Sequence, residues 1–191
     1  MTSFYTEQEL QELGLKEYGT NVLISRKCSI YGAAHISLGS NVRIDDFCIL
    51  SGNITIGSYV HISAYASMFA GDSQIMIGDF VALSSRNVIY AESDDYSGES
   101  MVNPMVPEEY KKLQRGDVSV GRHSIIGTGS TILPGVTIGE GVAVGAMSLI
   151  NKDLEEWTIN VGIPCRRIKE RARKPLEYEQ EFLAKYVEQE K

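Results

Sequence analysis

The stretch that decides the fold is 126–150, "IGTGSTILPGVTIGEGVAVGAMSLI", where Ile126, Ile132, Ile138, Val144 and Ile150 stand six residues apart. Going back along the chain, the same period links Leu38, Ile44, Leu50, Ile56, Ile62 and Met68. After a three-residue insertion it resumes at Ile77, Leu83 and Ile89, and after a long one at Val120. All fifteen positions are Ile, Leu, Val or Met. The slot four residues further on is usually small: Cys48, Val60, Ala66, Val81, Ser124, Ser130, Val136, Val142 and Ser148. Glycine often follows the first slot (Gly39, Gly57, Gly78, Gly121, Gly127, Gly139, Gly145), as expected if it supplies the turns.

A six-residue period matches neither a helix nor an alternating sheet. It matches a short strand and a corner, repeated, which is the signature of a parallel β-helix. Three such sides make a coil of ~18 residues, each stacked about 4.8 Å above the last, with both aliphatic slots facing a narrow triangular core.

Composition bounds the rest. The 191 residues fit one domain, and the formal net charge of −7 argues against a general nucleic-acid binder. No apolar run reaches the ~20 residues of a membrane span, and Met1–Leu13 lacks a basic-then-apolar export pattern. Cys28, Cys48 and Cys165 are scattered, odd in number and without metal-ligand spacing, so reduced thiols in a cytoplasmic protein are expected. Thr6-Glu7-Gln8-Glu9 reads as a capping box opening a short helix that carries Leu10 and Leu13 and stops at Gly14. Leu176–Glu190, with Tyr178, Phe182, Leu183 and Tyr186 near helical spacing, reads as a terminal helix covering the open end of the solenoid. The expected organisation is a cap over 1–29, a β-helix over 30–168 with a loop at 90–117, and a C-terminal helix over 169–191.

The ending "PGVTIG…VGA.S…KD…W…GIPCR.I", to about residue 169, resembles the closing coils of the hexapeptide-repeat acyltransferases. Sugar acetyltransferases of the galactoside and maltose type, and those of surface-polysaccharide clusters, are the nearest in pattern. The resemblance implies a left-handed coil, a homotrimer and acyl-CoA lying between subunits. General crossover rules would favour the opposite hand.

The 28 residues between Ile89 and Val118 break the period and carry Tyr96, Tyr110, Pro104, Pro107 and several acids. Loops of that length are usually functional or disordered. Matching "IGDFVALSSRNVIYAESDD" to the galactoside-type pattern brings the family's catalytic His onto Asp94 or Asp95, and the loop holds no His. Asp94 is the favoured substitute for the base; the plainer alternative is that both aspartates start a turn. His123, in the coil after the loop, is a further candidate for orienting CoA or the acceptor. His61 ranks lower and His35 reads as surface. The three have no stacking relation in an 18-residue coil, so no metal site is expected.

Asn87 occupies a slot that asks for a small inward residue. Its amide must be satisfied by the corner backbone or by a ligand, with Ser84, Ser85 and Arg86 beside it and Tyr96 in the loop. The basic run Arg166, Arg167, Lys169, Arg171, Arg173, Lys174 is either a solvated, charge-balanced stretch or a partner for CoA phosphates. The resemblance assigns Arg166, Arg167 and Lys169 to CoA, and Gly127, Ala146 and Gly162 would let backbone approach the pantetheine arm. The expected function is acyl-CoA-dependent transfer of an acetyl or similar group to the amine of a nucleotide-linked amino sugar, such as a dTDP-4-amino-4,6-dideoxyhexose, for surface polysaccharide. O-acetylation of a saccharide and a non-catalytic β-helix scaffold are the alternatives.

Overall fold

A computed structural model describes residues 3–186. Its body is a parallel solenoid of short strands. Along one face, Val22–Ile24 pairs with Val42–Ile44, which pairs with Val60–Ile62. The face continues through Ala82–Leu83, Ile125–Ile126, Ala143–Val144 and Thr158–Val161. The ladder registers give the pitch. Leu50 lies beside Met68, Ile126 beside Val144 and Ile132 beside Ile150, each pair 18 residues apart. Where Leu83 pairs with Ile126 the step is longer, because the long loop leaves between them.

All fifteen first-slot aliphatics are buried, from Leu38 and Val144 at 4 % exposed to Ile132 and Ile150 at 0 %. Each contributes about 1.5–3 kcal/mol by leaving water. The small slots are buried too, and the serines among them bridge coils. Ser130 Oγ donates to Gly145 O (3.3 Å) and accepts from Ser148 N (3.2 Å); Ser148 Oγ donates to Gly145 O (2.8 Å).

The glycines after the first slot do not supply the turns, contrary to expectation. None of the seven has positive φ; the left-handed corners are held by Asn41, Phe47, Tyr59, Tyr65, Phe80, Arg86, His123, Met147 and Trp157, among others. The glycines instead stand where coils touch. A Cβ on Gly39 would lie 2.7 Å from the carbonyl carbon of Gly57, and one on Gly57 2.9 Å from that of Gly78. On Gly121 it would lie 2.6 Å from that of Gly139. Only a residue without a side chain lets backbone sit on backbone there. The corner side chains stack outside: Phe47 on Tyr65 (5.0 Å), Tyr59 on Phe80 (4.9 Å) and Phe80 on His123 (5.0 Å).

The solenoid starts earlier than residue 30, since Glu17–Tyr18 and Val22–Ile24 already pair with coil strands. Before them α1 (Glu7–Glu12) carries the expected capping box at Thr6 and buries Leu10. At the far end Arg166–Glu170 folds back antiparallel on Thr158–Val161. Then α2 (Lys174–Tyr186) begins, with Pro175 inside its first turn rather than ahead of it; residues 187–191 of the expected helix lie outside the described residues. Nor does α2 cover the open end. Phe182 packs edge-on against Tyr59 (5.1 Å) and Phe80 (6.4 Å), so the helix runs beside the corner column of the middle coils. Its aromatic residues find their apolar partners on that column. Among the described residues no helix is long and apolar enough to cross a membrane.

Candidate active site

The long loop leaves the solenoid after Ala91 and returns at Gly116, whose N–H donates to Ala91 O at 3.0 Å. Glu92–Ser93 and Gln114–Arg115 pair antiparallel as its stem. Between stem and tip the loop overhangs the coils and encloses a groove of about 990 Å³, large enough for a nucleotide-sized ligand. Tyr90, Glu92, Ser93 and Asp94 form its near wall, Tyr96, Pro104, Glu108 and Lys111 its loop side, and Thr131, Leu133, Pro134 and Asn151 its floor.

The two adjacent aspartates have different tasks. Asp94 is partly buried and lines the groove; its Oδ1 accepts one hydrogen bond, from Asn103 N at 3.3 Å. Its Oδ2 has no protein donor among the described residues. Asp95 takes five: Ser97 N (2.9 Å) and Oγ (2.7 Å), Glu99 N (3.1 Å), and Ser100 N (3.1 Å) and Oγ (3.2 Å). The Ser97 hydroxyl and amide, then those of Ser100, lower its pKa to about 2. With its acceptors spent inside the loop, Asp95 is a tether, and its expected share in catalysis is not supported.

The sign of the tether follows from that depression. Its contribution is present above the ordinary carboxylate pKa near 4 and is lost as pH falls through about 2. Asp95→Ala is expected to speed amide hydrogen exchange across residues 97–112 at neutral pH and leave exchange in the coils unchanged. Unchanged loop exchange would show that the tether is dispensable.

His123 is not in the groove. It stacks on Phe80, is 8 % exposed, and its Nε2 meets Glu179 Oε2 of α2 at 2.8 Å. Arg122 reaches the other oxygen of Glu179. His123 therefore anchors α2, and its catalytic role is not supported. His61 meets Asp45 at 2.8 Å on the surface, and His35 is exposed.

Asn87 is satisfied by backbone alone. Its Nδ2 donates to Ser84 O (2.9 Å) and Ile126 O (3.1 Å), and its Oδ1 accepts from Ser130 N (2.9 Å). It bridges coils as the buried serines do, with both amide hydrogens used and the residue 1 % exposed, so it is closed to a ligand. Ser85 gives its carbonyl to Gly129 N (3.0 Å) and Thr128 Oγ1 (2.6 Å), and Arg86 lies over the Tyr65 ring (5.8 Å). Ser84 is half-buried at the end of strand Ala82–Leu83, outside the groove's lining. Tyr96 lines the groove and is 89 % exposed.

Gly127 and Ala146 are brought together: a Cβ on Gly127 would lie 2.5 Å from Ala146 N. Gly162 N donates to Ser148 Oγ (3.0 Å) in the same coil region. The basic run is divided. Arg171 Nη1 donates to the carbonyls of His123 (2.8 Å) and Gly141 (2.9 Å), and Arg173 lies over Trp157 (5.5 Å), so both are structural. Arg167 pairs with Glu155 (2.5 Å) and Glu170, the charge-balanced alternative. Arg166 and Lys169 carry no ion pair among the described residues and stay exposed.

Of the groove's floor and near wall, Tyr90, Glu92, Pro134 and Asn151 have no mark in the sequence, unlike Asp94. Their slots face outward and have no compositional mark; only the loop's path over them makes them a site.

Residues 117–152 match the family described as bacterial transferase hexapeptide (six repeats). The dTDP-4-amino-4,6-dideoxy-D-glucose acyltransferase of Escherichia coli is 47 % identical over 183 residues, spanning 94 % of this chain and 95 % of its own. The chain belongs to the hexapeptide-repeat acyltransferases. More distant is galactoside O-acetyltransferase of E. coli K12, 29 % identical over 60 % of this chain and 55 % of its own. Among solved structures, the acyltransferase is similar to AntD, an N-acyltransferase from Bacillus cereus. The two superpose with a TM-score of 0.95 at 52 % identity, over 97 % of this chain and 98 % of AntD in complex with dTDP and 3-hydroxybutyryl-CoA. The same score, at 51 % identity and over 97 % and 100 % of the chains, holds for an AntD variant in complex with dTDP-4-amino-4,6-dideoxyglucose and coenzyme A.

Proposed function

We propose that this enzyme transfers a short acyl group from acyl-CoA to the 4-amino group of a dTDP-4-amino-4,6-dideoxyhexose. The observation that carries the reading is a carboxylate, Asp94, with one free oxygen on the wall of a groove whose lining has no histidine. The E. coli relative is named for that amino sugar, and AntD binds dTDP, the amino sugar and CoA.

The chemistry suits those groups. The amine nitrogen attacks the thioester carbonyl carbon, the C–S bond breaks, and CoA leaves as thiolate. One N–H proton passes to the Asp94 carboxylate and on to the thiolate or solvent, so amide and free CoA result. A neutral amine is already nucleophilic, and a carboxylate is enough to orient it and accept its proton. A hydroxyl would need a stronger base. Tyr96 and the floor at Leu133 and Pro134 give the sugar an apolar bed. Arg166 and Lys169, exposed and without an ion pair among the described residues, suit CoA phosphates, and the close Gly127–Ala146 backbone suits the pantetheine arm. Family resemblance supports a homotrimer with acyl-CoA between subunits, working in the cytoplasm on a precursor of surface polysaccharide.

The deciding assay follows thiol release from acetyl-CoA with the dTDP-amino sugar and, separately, with its 4-hydroxyl counterpart. Turnover is expected on the amine alone. Turnover on the hydroxyl sugar alone would replace this reading with O-acetylation, and none on either would favour a scaffold.

A further inference from the structure

Between Leu38 and Ile150 two departures from the six-residue period stand: the long loop and the three extra residues at 71–73. Acyl transfer gives the second no task. In the folded chain the two meet. Within strand Ser67–Ile77 the register with the preceding coil shifts between Ser51↔Phe69 and Asn53↔Gln74, and residues 71–73 bulge out there, with Gly71 at φ 59°. The bulge lies against the loop's stem. Arg115 Nη2 contacts Asp72 Oδ2 at 2.8 Å, and its Nε donates to Glu92 Oε2 at 2.6 Å. Gln74 N donates to Asp117 Oδ1 at 2.9 Å, fixing the chain where the loop returns. The fit is close, since a Cβ on Gly71 would lie 2.7 Å from the Glu92 carboxyl group.

We propose that Arg115 is a positioning residue for the acceptor site. Its guanidinium fork clamps the outgoing strand to the three-residue bulge and thereby aims Asp94, two residues beyond Glu92, at the groove. The inference rests on the groove being the acceptor site. A stem of two residue pairs does not hold a hairpin by itself, and the bulge supplies the missing abutment. Arg115 is suited to this because two of its nitrogens bind two carboxylates at once, which a lysine ammonium cannot match in geometry. Its side chain is half exposed, so these pairs contribute little to global stability. What they determine is where the loop lies.

The test uses the full-length enzyme with Arg115→Met, Arg115→Lys and Gly71→Ala, the last pushing on Glu92 from the bulge. With acetyl-CoA and dTDP-4-amino-4,6-dideoxyglucose, Arg115→Met is expected to lower kcat/KM for the sugar by about 10- to 100-fold, the cost of a displaced reacting group. The KM for acetyl-CoA and the melting midpoint should not change. Arg115→Lys should recover part of the loss, Gly71→Ala should reproduce it, and hydrogen exchange over residues 92–115 should rise in Arg115→Met. Sugar kinetics within twofold of wild type would overturn the proposal. So would an equal loss for both substrates accompanied by a lower melting midpoint, which would make Arg115 a general structural residue. If wild-type enzyme failed on the amine, the acceptor reading would fall; exchange would still decide the clamp, and an unmoved loop in Arg115→Met would overturn that too.

Discussion

Asp94→Asn is expected to lower kcat for amine acylation by about 10²- to 10⁴-fold, the usual contribution of a positioned acid–base group. The substitution keeps the size and leaves an oxygen to accept from Asn103 N. It removes the charge that attracts the protonated amine and the lone pair that takes the proton during attack. The KM for acyl-CoA should hold, because no CoA contact is assigned to this side chain. The melting midpoint should hold as well, since Asp94 makes one long hydrogen bond where its neighbour Asp95 makes five. Turnover within tenfold of wild type, measured by thiol release at saturating substrates, would remove Asp94 from the mechanism. Comparison with Asp95→Ala sharpens the test, for that variant acts by loosening the loop.

The second large effect is on folding. Gly121→Val is expected to destabilise the protein by on the order of 3 kcal/mol or more, a large share of the stability of an ordinary domain. A Cβ at that position meets the Gly139 carbonyl carbon and Glu140 N at 2.6 Å each, and backbone cannot swing aside as a side-chain tip can. To make room, the coils must separate where Gly121 N donates to Ile138 O at 2.8 Å. Gly98→Ala is the control. Gly98 has φ 83° but nothing within 4 Å of an added Cβ, so only the backbone penalty of about 1 kcal/mol applies. Equal thermal midpoints for Gly121→Val and wild type would show that the glycine column does not set the coil spacing.

The reach of the sequence is uneven for a physical reason. Ile126, Ile132 and Ile138 declare the solenoid because burial repeats with the coil, and a repeated constraint leaves a repeated residue. Gly121 and Gly139 are visible in the pattern but their purpose is not: the requirement they meet comes from the neighbouring coil, which one hexad does not contain. Nothing in the residue type of Tyr59, Phe80 or Met147 announces a left-handed corner; neighbours in the column hold it there. The task of His123 is not legible locally, because its partner, Glu179, lies 56 residues away on a helix whose docking the sequence does not state. A one-residue gap in the pattern leaves Asp94 and Asp95 both as candidates. The structure separates them by counting donors.

The way the loop joins the solenoid has an evolutionary consequence. Its ends are held one hydrogen bond apart, Gly116 N to Ala91 O, and Ala91 itself is fully buried. Whatever hangs between those points adds only a slowly growing closure entropy, about 0.6 kcal/mol for each doubling of length. Val88–Ile89 pairs with Thr131–Ile132 across the gap without taking anything from the excursion. The loop can therefore lengthen or be exchanged as a cassette, provided the residue facing Arg115 on the neighbouring bulge travels with it. A chimaera that exchanges residues 92–115 together with 71–73 keeps both halves of that joint, whereas one that exchanges the loop alone inherits a mismatched seat.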